Sequence, residues 1–535
     1  MYRIFLLFTA VTTSAGLLVA SDSAVRTLSI HDAIRSALEN NLQLQVEDLS
    51  PSIAIEGLRQ ARSEFDPVFS IEGSYEEIER RQNTIEFLST GQVVPGRIFE
   101  EQSALLRTGV AKRTALGTTF DLHTRVRRVE NSVLRESPTA IFRPEYETFA
   151  GIQVTQPLLQ GFGPDANLAG VRAARLGLSI AEAEREITVV NAVSEVVNVY
   201  YDMVFGQEDL LVKRESLDVA NELLRENLRR LELGRMAPID VAEARVRVSE
   251  TEEELIRAED FLRERELMLR RLIYDRTDWR SEDRLRVVVD LPELIVVPED
   301  TKFLFDGALD LRPDYRLALR EYSRERLRED FSTNQALPQL DLRFSYGFSG
   351  LDGGFDTSYD RVIAGREPQW AAGFIFSIPI GNREGRARIS SARKMRRQAE
   401  LEIQRIEHDI AIDLQNSVAR LVAIDQRLRT SRESLRLAEE ALRLEEGRLE
   451  AGLTTSYRVM ELQTAMSSAQ TREVAARVEA QKATAQVWAV SGRLLMEHGF
   501  HLSEAVPRHQ VDTSGVRWNK GPVRWGWSEE TDGNY

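Results

Sequence analysis

The 535-residue chain has no cysteine. That excludes disulfides, thiolate metal sites, a cysteine nucleophile and a lipidated N-terminal cysteine. It also lacks a basic excess: 70 Lys and Arg stand against 85 Asp and Glu, a net charge of −15. Nucleic-acid binding needs a basic footprint, so no nucleic-acid partner is expected. Beyond the N-terminus no segment approaches ~20 uninterrupted apolar residues, so any membrane crossing must be made by strands. No H-E-x-x-H or Ser/His/Asp arrangement is present. Gly161-Phe162-Gly163 faintly resembles a phosphate loop, but Ala166 stands where the third glycine of a dinucleotide fingerprint belongs. His498 and His501 alone do not make a metal site. Lys112 and Arg113, near Leu116-Gly117, read as strand-end charges. The chain is expected to be no enzyme, with no catalytic, cofactor or metal residues.

What is present begins with a short basic start, Met1-Tyr2-Arg3, then an apolar stretch from Ile4 to Ala20 and a Ser/Ala/Asp-rich segment. This is the pattern of a secretory signal peptide, cut between Ala20 and Ala24. With 29% charged and 42% hydrophobic residues, the remainder is neither disordered nor a helical membrane protein.

The chain resembles itself. ALENNLQ at 37–43 matches ALDLRPD at 308–314, and Asp66-Pro67 matches Leu337-Pro338 at the same offset. QPLLQGFG aligns Pro157 with Pro379 and Gly163 with Gly385. RRLELGRMAPIDVAEAR aligns Gly234 with Gly452 and Val241 with Val459. The order helix, strands, helix, glycine turn, helix occurs twice, and the first copy is longer by about 49 residues between its strands.

The strands alternate with period two, which puts one face in an apolar medium and the other in water. Phe69, Ile71 and Tyr75 alternate with polar residues, as do Phe120, Leu122, Thr124 and Val126, and Leu340 to Phe348; Ala372, Phe374, Phe376 and Ile378 form another apolar face. By itself this suits a soluble sandwich or an outer-membrane barrel equally. The helices decide between them. Leu414, Leu421, Leu428, Leu435, Leu442 and Leu449 recur every seven residues, as do Val241, Val248, Leu255, Leu262 and Leu269. Leu217, Ala220, Leu224, Leu228 and Leu231 step by three and four. These are coiled-coil seams. The first long helix, from about Gly163 to Gly234, would run ~105 Å at 1.5 Å per residue. Gly234 suits a left-handed helix C-terminus, and Pro238 the first turn of the next helix.

These pieces carry a resemblance to the TolC family of outer-membrane efflux proteins. It covers roughly 28–497 and rests on LSIHDAIRSALENN, SEFDPVFSIEGSY, QVTQPLLQGFG and the two glycine turns, in that order behind a signal peptide. The resemblance implies a mixed α and β membrane fold: a long α-helical coiled-coil barrel and a transmembrane β-barrel, shared by a homotrimer. It implies a passive duct across the outer membrane of a Gram-negative-type envelope, with a tunnel in the periplasm. Its partners would be a periplasmic adaptor (membrane fusion) protein, an inner-membrane pump and outer-membrane lipid, serving tripartite efflux or type I secretion. The other readings are a periplasmic coiled-coil adaptor, which would have one hairpin and a lipoyl-type half-motif, and a structural envelope protein, which would not need aromatic-faced strands.

On this reading the divisions are a signal peptide at 1–24, a first repeat at 25–277, an equatorial linker at 278–300, a second repeat at 301–497 and a mobile tail at 498–535. The glycine turns become the periplasmic tips, and Gly234, Pro238, Gly452, Leu453 and Thr454 the adaptor-docking turns. The family's gate lies at the tips. Asp240 matches its acidic position in the first repeat. In the second, Arg458 and Glu461 stand where the prototype has two aspartates, and Leu449 and Thr454 replace its tyrosine and arginine. Asp240, Glu461 and Arg458 are therefore the expected constriction, with Arg448, Arg235 or Arg458 as partners for Asp240. Three copies of Glu461 around an axis would attract cations. The extra segment of the first repeat reads as a hairpin, because Leu106, Thr108 and Val110 alternate before Ala115-Leu116-Gly117-Thr118 and Phe120–Val126 after it. Six strands per chain are expected, near 67–79, 104–114, 118–130, 147–158, 338–349 and 369–380, with eighteen in a trimer.

Overall fold

The computed structural model describes residues 25–89, 98–136, 140–274, 284–288, 298 and 300–500. The segment 1–24, expected to be a signal peptide, and the expected tail beyond Phe500 lie outside the described residues. The described residues form two compact units, one drawn from within 25–47, 185–316 and 405–500, the other from within 48–184 and 317–404. Compactness thus cuts across the sequence divisions.

The second unit holds a six-stranded antiparallel sheet: β2 (Val68–Arg81), β3 (Ile98–Arg113), β4 (Thr119–Asn131), β5 (Glu145–Pro157), β7 (Gln339–Asp352) and β8 (Pro368–Ser377), hydrogen-bonded in that order. The inserted segment is therefore part of the sheet, with β3 paired to β2 and β4 to β5 along their lengths. Its β3 starts at Ile98, not near 104. Near its start the polar run Glu100, Glu101 and Gln102 breaks the alternation, yet it keeps the ladder with Glu79, Ile78 and Glu77, as Ile98 and Phe99 do with Arg81 and Arg80. At one end the helix Phe355–Ile363 packs on β5 and β7. Thr148 Oγ1 lies 2.8 Å from Ser358 Oγ, and Gly350 has no room for a side chain, since a Cβ there would meet Ser358 O at 2.1 Å.

The first unit holds the short parallel pair β1 (Val25–Leu28) and β6 (Arg284–Val287). The expected linker at 278–300 thus contributes a strand to the fold. Tyr200 Oη donates to Val288 O at 2.8 Å beside that pair. The core runs along the second helical pair: Ile410, Leu414, Leu421, Ile424 and Leu428 pack with Ala476, Ala480, Ala483, Val487 and Val490. Of the heptad leucines, Leu414, Leu421, Leu428 and Leu442 are buried; Leu435 and Leu449 are half-buried. In the helix Pro238–Ile273 the seam deepens at Val241, Ala244, Thr251, Ala258, Leu269 and Leu272, the three-and-four spacing that faces one neighbour. The first long helix is continuous over Ala169–Glu232; a separate turn, Pro164–Asn167, precedes it, so it starts later than Gly163.

Candidate functional site

Two turns of one geometry close the long helices. Gly234 has φ +70°, its N–H donates to Leu231 O at 2.9 Å, and Arg235 N–H donates to Arg230 O at 2.8 Å. Gly452 has φ +70°, with Gly452 N to Leu449 O at 3.0 Å and Leu453 N to Arg448 O at 2.9 Å. Both are Schellman motifs, in which a left-handed residue lets two N–H groups reach carbonyls that the helix end leaves open. Pro238 then opens one helix and Ser456 the other. Leu233, Ile239, Leu453 and Tyr457 stand exposed on these turns.

The expected gate residues are all here, and within one chain their bonds are local. Asp240 accepts from the Ala237 backbone N–H at 3.1 Å, which caps its own helix. Ala237 has no side-chain oxygen, so Asp240 does the capping alone. Arg458 pairs with Glu461 at 2.5 Å one turn away, both half-exposed, and Arg448 pairs with Glu445 at 3.2 Å. No ion pair reaches Asp240 from Arg235, Arg448 or Arg458. The physical reason is proximity: an acceptor three residues along the same helix is met before one on another helix.

Sequence reasoning missed the buried polar group of this region. Asn227 is fully buried, and Ser456 Oγ donates to its Oδ1 at 3.2 Å, tying the first helical pair to the second. Asn227 Nδ2 has no partner among the described residues. Glu445, also buried, accepts from Thr454 Oγ1 at 2.5 Å. The available signal was a polar residue between Leu224 and Leu228 in an otherwise apolar seam.

The sheet has two unlike faces. Directly paired residues share a face, so register alone aligns Phe69, Val110, Leu122, Ile152, Tyr346 and Trp370 in one row. Further rows add Lys112, Phe120, Val154, Phe344 and Ala372, then Gln156, Leu342 and Phe374. Phe69, Ile71, Tyr75, Phe120, Leu122, Phe344, Tyr346, Phe374 and Phe376, selected by alternation, are exposed in the isolated chain, as is Trp370, with 72% for Trp370 and 73% for Phe374. A contiguous exposed apolar face across six strands marks a surface that a membrane or another protein covers. The opposite face carries Ser70, Glu72, Arg107, His123, Arg125, Gln153, Arg343 and Ser345. Among the described residues no helix is long and apolar enough to cross a membrane, and no cluster of three or more His, Cys, Asp or Glu could hold a metal ion.

A family profile described as outer membrane efflux protein matches residues 33–273 and 306–493. The chain belongs to the outer membrane efflux protein family. That family places it in the outer membrane and among efflux proteins rather than enzymes. Solved structures agree in fold. The outer membrane channel CmeC of Campylobacter jejuni shares 16% identity over 94% of this chain and 95% of its own, with a TM-score of 0.63. VceC of Vibrio cholerae shares 16% over 86% and 96%, at 0.60. The open state of MtrE of Neisseria gonorrhoeae shares 15% over 87% and 89%, at 0.58. No curated protein sequence matches the chain. The fold is therefore that of a TolC-like outer membrane channel, mixed helix and sheet.

Proposed function

We propose that the protein is the passive outer-membrane duct of a tripartite efflux or type I secretion assembly. Three copies share one eighteen-stranded β-barrel and a periplasmic helical tunnel, and the tunnel receives substrate through an adaptor from an inner-membrane pump. The observation that carries this reading is the apolar face of the sheet and the way it drifts. Its middle lies at Glu72 in β2, between Phe69 and Tyr75, and at Gly373 in β8, between Trp370 and Phe376. Following the pairing from Gly373 through Arg343, Thr155, Thr119 and Arg113 leads to the level of Asp66, six residues below Glu72. At ~3.3 Å per residue and ~4.8 Å per strand, six residues over five steps tilt the strands about 40° from the band's normal. Closed transmembrane barrels tilt by about 35–45°. The stretch from Phe69 to Tyr75, about 20 Å along a strand, rises about 15 Å at that tilt and so covers the middle of an outer-membrane apolar belt of about 25 Å.

The two edge strands support closure by further copies. β2 and β8 run in opposite directions and each has one partner among the described residues. An even strand count lets β8 of one copy continue antiparallel into β2 of the next, which removes both edges. The exposed Leu233, Ile239, Leu453 and Tyr457 suit adaptor docking, with Gly234, Pro238, Gly452 and Thr454 shaping the turns. Asp240, Glu461 and Arg458 form the proposed constriction when three copies meet. Detergent fractionation of cells tests the reading. Heat-sensitive trimers in the outer-membrane fraction are expected, and a soluble periplasmic protein would refute it.

A further inference from the structure

The polar face of the sheet is unevenly charged. Over the five rows from Arg113 and Thr119 up to Leu105 and Arg127, the strands β2, β5, β7 and β8 contribute Glu72, Glu147 and Arg343. The hairpin β3–β4 contributes Arg107, Arg113, Arg125 and Arg127 against Asp121 alone. Without the hairpin this stretch has an acidic excess; the hairpin reverses its sign.

The arrangement inside the hairpin is not one that sheet stability favours. Arg107 and Arg125 are directly opposed on the same face, and like charges so placed repel. Arg107 is relieved by Asp121 at 2.8 Å, which His123 Nδ1 also approaches at 3.4 Å. Arg127 lies 3.4 Å from Glu101 and 3.6 Å from Glu147, and Arg113 is held by Glu64 at 2.5 Å. Arg125 is exposed and has no carboxylate within ion-pair distance among the described residues. Its guanidinium lies over the Phe149 ring, 5.9 Å from the centroid. That ring is fixed in place: a Cβ at Gly151 or Gly347 would meet its Cζ at 2.7 or 2.6 Å, and His123 packs beside it at 5.5 Å. A guanidinium steered by an aromatic wall, with its charge unspent, is a ready partner for an oxyanion.

We propose that the inserted hairpin gives the duct's inner wall a contact site for anionic solutes, those bearing carboxylate, phosphate or sulfonate groups, with Arg125 as the group that meets them. The site rests on the duct reading, since only there does the polar face line a lumen. Planar-bilayer recording of the full trimer, with inositol hexaphosphate added to each side in turn, tests it. Wild-type current falls as the polyanion binds. Arg125→Gln raises the half-blocking concentration by about threefold or more, in keeping with loss of one exposed ionic contact per protomer, and Arg125→Lys keeps most of the block. Equal block in wild type and Arg125→Gln overturns the site, as does a block lost in Glu461→Gln and retained in Arg125→Gln. A correctly assembled wild type without any ion conductance refutes the duct reading itself.

Discussion

Phe374 and Gly373 are neighbours on β8 with side chains on opposite faces of the sheet. Phe374 is 73% exposed, and a Cβ at Gly373 meets nothing within 4 Å. In water an arginine at either position would be tolerated, because surface substitutions away from special features stay within about 0.5 kcal/mol. A membrane separates them. An arginine facing lipid near mid-bilayer costs about 2–4 kcal/mol, and losing a fully apolar contact for the phenyl ring costs roughly 1.5–3 kcal/mol more. Phe374→Arg should therefore cost about 4–7 kcal/mol per protomer, and all three protomers of a trimer would bear it. Gly373→Arg, facing the lumen, should stay within about 1 kcal/mol. Urea titration of trimers refolded into phospholipid vesicles, read by heat-modifiable migration, measures the difference. Equal midpoints for the two variants would refute the assignment of faces.

Gly452→Ala forces an L residue to φ +70° and should lower stability by about 1 kcal/mol in calorimetry. Gly447→Ala, in regular helix with open space around it, should raise it by up to about 1 kcal/mol. Burial, then the charge of nearby His31, holds the His498 imidazole below its ordinary pKa. The folded state thus disfavours the proton, so stability is present above pH ~6.5 and is lost as pH falls through the depressed value. His498→Phe should flatten that acid limb in thermal melts. Asp240→Asn keeps an acceptor for the Ala237 N–H while removing charge, and Glu461→Gln does the same for Arg458. Each should change single-channel conductance or cation selectivity, and wild-type values in both would exclude a tip gate.

Much of this fold is legible in the sequence because it is built from periodic elements. All six sheet strands announce themselves by alternation, including the inserted pair, since each places large apolar residues on one face. The heptad leucines mark the helical seams, and Gly234 and Gly452 mark the turns because a positive φ leaves few other choices. The pairing of β1 with β6 is not legible: four residues each, about 260 positions apart, leave no periodic trace. The start of β3 is hidden for another reason, since the hydrogen-bonded ladder extends past the apolar band through the polar run Glu100–Gln102. At the candidate site the acidic positions are legible but their bonds are not. Asp240 and Glu461 take partners three residues away, a local choice that likeness to a relative does not predict. Asn227 and Ser456 meet only because two helical pairs pack together, which no single stretch of sequence encodes.

The central claim is that β8 of one copy joins β2 of the next. The chain has no native cysteine, so introduced pairs report without background. Ser70 or Ser74 on β2, combined with Ala371 or Gly373 on β8, places both thiols on the polar face. Oxidation of the doubly substituted protein in outer membranes should yield a covalent trimer for at least one pair, seen on denaturing gels and collapsed by reductant. Monomers from every pair, or a disulfide formed within one chain, would contradict closure of a shared barrel.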